Sequence, residues 1–167
     1  MGGGIAMQFA HWQPERSATL SLIASASLGP EINATFINGF VRAARRREAV
    51  EVLNLLVNDP LLVSRTMVED VLRYKRLDGV PATLARIAEE WFPRGVQREG
   101  LGEVVAGLKI PVQIIWGRED RIIPAAHAEA LASRLPVHIL EQTGHLPHME
   151  KAGEVNRLLK RQIENQA

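Results

Sequence analysis

Two short stretches carry the side chains best suited to chemistry. They are "WGREDRIIP", residues 116–124, and "TGHLPHME", residues 143–150. Asp120 stands four residues past Trp116, the last large residue of an apolar run, and His145 follows the next such run. A carboxylate and an imidazole on neighbouring strand ends can lie side by side. The carboxylate then fixes the tautomer of the imidazole, whose other nitrogen is free to take a proton from a nucleophile. Taken singly, each residue has a plainer reading: Asp120 as a turn residue or helix cap, and His145 as a partly buried loop histidine.

The third member of such a set would be a nucleophile. The chain has no cysteine, which excludes thiolate catalysis, disulfides and cysteine-bound zinc. Ser25 and Ser27 lie at the end of an earlier strand and could face the same pocket; the competing reading is a pair of loop serines bonded to backbone or water. His145, His148, His127 and Asp120 include an H-x-x-H spacing that zinc can use. His127 falls mid-helix and His148 at a helix start, which favours solvated histidines, and no metal or cofactor is expected.

These residues need a scaffold of alternating strands and helices. Ile5, Ala6, Phe9 and Trp12 recur at helical spacing, and Pro14 ends that helix. Residues 18–25, "ATLSLIAS", read as a strand and residues 28–31 as a loop. A long helical stretch follows: 33–47, 48–59 closed by Asp59-Pro60, 64–77 with Ser64 as cap, and 81–92 with Pro81 in the first turn. Residues 94–108 read as a polar linker. A strand at 110–117, a helix at 124–135, a strand at 137–141 and a final amphipathic helix at 153–166 complete the pattern.

The fold class is therefore α/β, about three parallel strands with flanking helices and a helical insertion. Functional groups of such sheets collect in the loops after the strands, here 25–33, 117–124 and 141–149. Three parts follow: residues 1–30 with the first helix and strand, 31–95 as a helical cap, and 96–167 with the acid and histidine loops.

Twenty basic and 19 acidic side chains nearly cancel, so bulk charge gives no argument for a nucleic-acid partner. The one basic cluster, "RAARRR" at 42–47, has Glu48 and Glu51 beside it and reads as a solvated helix face. No apolar run reaches membrane-spanning length, and the start lacks the basic leader of a signal peptide. The expectation is a soluble, cytoplasmic protein.

The opening "MGGGIAMQFAHWQPERSATLSLIA" is unusual, because three glycines lead directly into a helix. Together with "WGREDRIIPAAHA" and "TGHLPHMEK" it resembles the α/β-hydrolase family. That family orders its triad as serine, acid, histidine, with the serine in a G-x-S-x-G elbow between strand and helix. The resemblance makes Asp120 the acid and His145 the histidine. Met1 matches the residue after the serine, the oxyanion-hole position, and Gly2 matches the second glycine of the elbow. It also implies that Gly2 lets the helix pass close to the turn, that Gly3 and Gly4 let it pack tightly, and that the serine stands one residue before Met1.

The segments "EINATFINGFVRAARRRE", "DPLLVSRTMVEDVLRYKRLDGV", "IIPAAHAEA" and "MEKA" are similar to the hydrolase-like domain in the acyltransferase component of acetoin dehydrogenase complexes. The implied reading is the C-terminal part of such a protein, entered at an internal methionine. It would act in the intact parent by serine-type acyl transfer or ester hydrolysis on a small acyl or ester substrate. Alone it would be inactive, without the elbow serine, one oxyanion amide or a lipoyl-bearing segment. The alternative is a non-catalytic binding or assembly module. Trp91 and Phe92 end a cap helix and either pack in the core or line an acyl pocket. Without a neighbour for the strand at 18–25, the exposed sheet edge invites self-association.

Overall fold

Three short runs rich in branched aliphatic side chains form one parallel sheet in the computed structural model, which describes residues 1–98 and 100–165. They are β1 (Leu20–Ile23), β2 (Val112–Gly117) and β3 (Val137–Leu140), in the order β1-β2-β3. Leu20 pairs with Val112 and Ile23 with Ile115, while Ile114 pairs with Val137 and Gly117 with Leu140. All six residues of β2 are buried, as a central parallel strand covered on both faces requires. β1 is shorter than the eight residues its pattern predicts, because Ala24 turns away at φ 44° after one last bond to the Ile115 carbonyl.

Helix α1 (Gly2–Trp12) buries Met7 and Ala10 against the sheet and stops before Pro14. It begins three residues earlier than its apolar spacing predicts, so the glycines lie within its first turn. A Cβ on Gly3 would overlap the Ser25 side chain, with the Ser25 Cβ 2.7 Å away, and one on Gly4 would stand 3.2 Å from Ser27 Oγ. These two glycines let the helix lie directly on the loop after β1. A Cβ on Gly2 would meet nothing within 4 Å, so the close approach predicted for Gly2 is not among these contacts.

Four helices follow in the segment expected to be the cap: α2 (Ala34–Arg42), α3 (Arg46–Leu53), α4 (Arg65–Lys75) and α5 (Val80–Trp91). Asn33 caps α2 by accepting from Phe36 N (3.0 Å), and Ser64 caps α4 by accepting from Met67 N (3.1 Å) as predicted. The helix predicted at 33–47 is in fact broken at Ala43. There the Glu48 carboxylate accepts from the amides of Ala44 (2.9 Å) and Arg45 (3.0 Å) and starts α3. The break tucks Ala43 into a small core with Ala49, Leu53, Val68 and Leu72. Lys75 is buried, donates to the carbonyls of Phe40 and Val41 at the end of α2, and lies 5.0 Å over the Phe40 ring. Burial pushes its pKa down.

The stretch predicted as a polar linker is more ordered than that. Val96 bridges to Glu31, and helix α6 (Gly102–Ala106) buries Val105. Gln97, itself buried, accepts from Ser27 N (2.8 Å) and donates to the carbonyls of Gly29 (2.8 Å) and Glu31 (3.0 Å), stapling the loop after β1. Helix α7 (Ala126–Glu129) is shorter than predicted, since bonds to the third residue take over through Arg134 and tighten the chain into turns. Short α8 (Pro147–Glu150) precedes α9 (Ala152–Glu164); Gln166, the predicted end of that helix, lies outside the described residues. Met7, Leu22, Ile114, Trp116 and Val105 build the main core, and α9 covers the opposite sheet face through Val155 against Ile115 and Leu140. Among the described residues no helix is long and apolar enough to cross a membrane.

Candidate functional site

The loops after β2 and β3 meet because Gly117 has no side chain. A Cβ there would overlap the carbonyl oxygens of Thr143 and Gly144 and stand 2.7 Å from the Thr143 carbonyl carbon. Between the loops, Glu119 N donates to the Thr143 carbonyl (2.9 Å) and Thr143 N donates back to the Glu119 carboxylate (2.8 Å). Arg118 reaches Glu141 (3.1 Å) and also Glu129. This double lacing fixes the two strand ends relative to each other.

On that base, His145 Nδ1 donates to Asp120 Oδ2 at 2.8 Å. The Asp120 side chain is fully buried and that of His145 is 20% exposed. The second oxygen of Asp120, Oδ1, accepts from the amides of Ile122 (2.8 Å) and Ile123 (3.0 Å). A buried carboxylate with all its partners in place cannot swing away, so it holds the imidazole at one angle. With Nδ1 engaged, Nε2 is the nitrogen left to accept a proton. One oxygen of Asp120 thus caps the turn while the other bonds to the histidine.

The other candidates lie apart from this pair. Ser25 is buried beneath Gly3 and donates to the Ala26 carbonyl (2.9 Å), and Ser27 sits at φ 72° in the same loop. His127 is buried with Nε2 on the Glu31 carboxylate, a bond that pulls the Glu31 pKa down, while His148 is exposed. Among the described residues no three His, Asp or Glu side chains are grouped as metal ligands. The arginines of the run at 42–47 are exposed, with Arg47 on Glu51 (3.0 Å) and Arg46 on Glu69 (3.6 Å).

Met1 caps the start of α1, its carbonyl accepting from Ile5 N (3.2 Å), and burial lowers the pKa of its amine. Met1 also opens an apolar groove of about 450 Å³, lined by Ile5, Phe9 and Trp12 of α1 and by Trp91 and Phe92 of the cap. Trp91 and Phe92 therefore face this groove, which does not include Asp120 or His145.

Sequence reasoning missed the polar side chains that tie the cap to these loops. Arg121 donates to the Asn54 and Val57 carbonyls, and Glu150 accepts from the amides of Asn58 and Gly144 (2.7 Å each). Their partners are 64 to 92 residues away for three of the four bonds, so local spacing gives no sign of them.

Comparison with known proteins gives a consistent result. Residues 1–158 match the model of the Alpha/beta hydrolase family. The chain is 42% identical over 163 residues to the dihydrolipoyllysine-residue acetyltransferase component of the acetoin cleaving system of Cupriavidus necator, covering 98% of this chain and 44% of the relative. The component of the same name from Pseudomonas putida is 41% identical over 157 residues, covering 94% and 42%. The chain thus spans less than half the length of these curated relatives. A meta-cleavage product hydrolase from Pseudomonas fluorescens superposes with a TM-score of 0.84 at 21% identity, over 99% of this chain and 62% of that one.

Proposed function

Because this chain belongs to the alpha/beta hydrolase family, we propose that it supplies the acid and the base of a serine-type acyl transfer or ester hydrolysis. The observation that carries the reading is the 2.8 Å bond from His145 Nδ1 to the buried Asp120. In this reaction a serine oxygen attacks the acyl carbon while His145 Nε2 takes its proton. Asp120 holds the tautomer and stabilises the imidazolium, and the histidine then returns the proton to the leaving group. In an intact parent the serine would stand in an elbow ahead of Gly2, and the Met1 nitrogen, an amine in this chain, would there be the peptide amide that faces the developing oxyanion. Residues 31–95 act as the cap that shapes the acyl site. Of the two reactions, acetyl transfer is favoured by the 42% identity to an acetyltransferase component.

A second reading, a binding or assembly module, is favoured by the apolar face of α1, where Ile5 is 69%, Phe9 43% and Trp12 70% exposed. One comparison separates the two. The chain as given should hydrolyse short acyl esters no faster than buffer, whereas the same chain joined to an upstream half carrying a Gly-His-Ser elbow should turn them over in a His145-dependent way. An extended protein that binds partners but never turns over an ester supports the module. Activity in the chain as given that His145→Ala abolishes would point to a serine within it, such as Ser25 or Ser27.

A further inference from the structure

The segment that follows α3 opens with a single 3-10 turn, Asn54–Leu56, and four of its backbone polar groups bond to the two site loops or to Glu150 beside them. The Leu56 carbonyl accepts from His145 N (2.8 Å). The Asn54 and Val57 carbonyls accept from Arg121, the residue after the acid. The Asn58 amide donates to one oxygen of Glu150, whose other oxygen takes the amide of Gly144, the residue before the histidine. A Cβ on Gly144 would stand 2.9 Å from the Leu56 carbonyl oxygen, the Asn58 nitrogen and the Val57 carbonyl carbon, so the approach is as close as backbone allows.

We propose that residues 54–58 are a brace that sets the position of His145 against Asp120, with Glu150 and Arg121 as the positioning residues that fasten it. This rests on the acid–histidine reading above. Each anchor uses a charged group on backbone partners, the stronger class of hydrogen bond, and each sits one to five residues from a member of the pair. The cap is thereby coupled to the base: when the segment lifts, the histidine loop loses the Leu56 carbonyl and the Glu150 bridge together, and the 2.8 Å bond opens. A segment that only held the cap down would leave the imidazole unmoved.

The test is the NMR signal of the His145 Nδ1 proton in this chain and in three variants. Glu150→Gln keeps the side-chain shape but leaves only one acceptor oxygen for two amides. Arg121→Met keeps the stem and removes the donors. Exchange of the Nδ1 proton with water should rise about tenfold or more in each, the effect of losing one hydrogen bond to a charged group, while the amides of β2 and β3 keep their protection. Asp120→Asn is the control for the pair itself. If Asp120→Asn removes the signal while Glu150→Gln and Arg121→Met, both folded, leave it sharp, the brace is refuted and the pair stands. If Asp120→Asn leaves it unchanged, the acid–histidine reading fails and the brace fails with it. In the unmodified chain, rapid exchange at either the Gly144 or the Asn58 amide would refute the brace without recourse to a variant.

Discussion

Replacing Gly117 by alanine should separate the acid loop from the histidine loop. The added Cβ would start 2.7 Å from the Thr143 carbonyl carbon and closer still to two carbonyl oxygens. Ordinary contact begins near 3.4 Å, so the loops must part by about 0.7 Å at the least. Backbone cannot rotate aside as a side chain can. Carried to the site, that displacement takes the 2.8 Å bond between His145 and Asp120 to about 3.5 Å, the limit of a real hydrogen bond. Overpacking costs about 1–3 kcal/mol and the weakened bond to a charged group about 1.5–3 kcal/mol, for a combined loss of roughly 2.5–6 kcal/mol. Urea unfolding of Gly117→Ala beside the parent chain measures the loss, and the His145 Nδ1 signal reports the pair. Gly2→Ala is the matched control, because its Cβ would meet nothing within 4 Å. Stability of Gly117→Ala within 0.5 kcal/mol of the parent, with an unchanged imidazole signal, would mean that the two loops do not depend on a glycine at this position.

Other expectations follow from the same geometry. Gly3→Ala should lower the thermal midpoint, since overpacking of about 1–3 kcal/mol against Ser25 outweighs a helix-propensity gain of about 1 kcal/mol; adding Ser25→Gly should recover it. His138 is held below its ordinary 6.5 first by burial and then by Arg161. The unfolded chain therefore binds the proton first, so stability is complete above pH 6.5 and declines as pH falls below it, and His138→Gln should flatten that decline in urea titrations. With the outer edge of β1 unpaired among the described residues and the α1 face apolar, the chain should sediment as a dimer or larger at micromolar concentration. Ile5→Glu combined with Trp12→Glu should shift it toward monomer, and a parent chain that sediments as a clean monomer would contradict this.

The pair itself was legible in the sequence because acid and histidine each sit just past a branched apolar run, and runs of that kind become parallel strands. The tight packing of Gly3 and Gly4 was implied by the resemblance to the nucleophile elbow and not by helical spacing, which starts the helix only at Ile5. The same resemblance implied a close approach at Gly2, where an added Cβ would meet nothing within 4 Å. Gln97, Arg121 and Glu150 were invisible because each acts on backbone groups far along the chain, where spacing carries no signal. The break at Ala43 was hidden by residues that all favour helix; what splits them is the Glu48 cap and the burial of Ala43 against α3 and α4.

Orientation of His145 by Asp120 for acyl chemistry has a kinetic signature. In a chain extended to carry the elbow serine, turnover of a short acyl ester should fall about 10⁴-fold in Asp120→Asn, because an asparagine leaves the wrong tautomer facing the nucleophile. Near-normal turnover in that variant, with the fold intact, would mean that Asp120 does not orient the base.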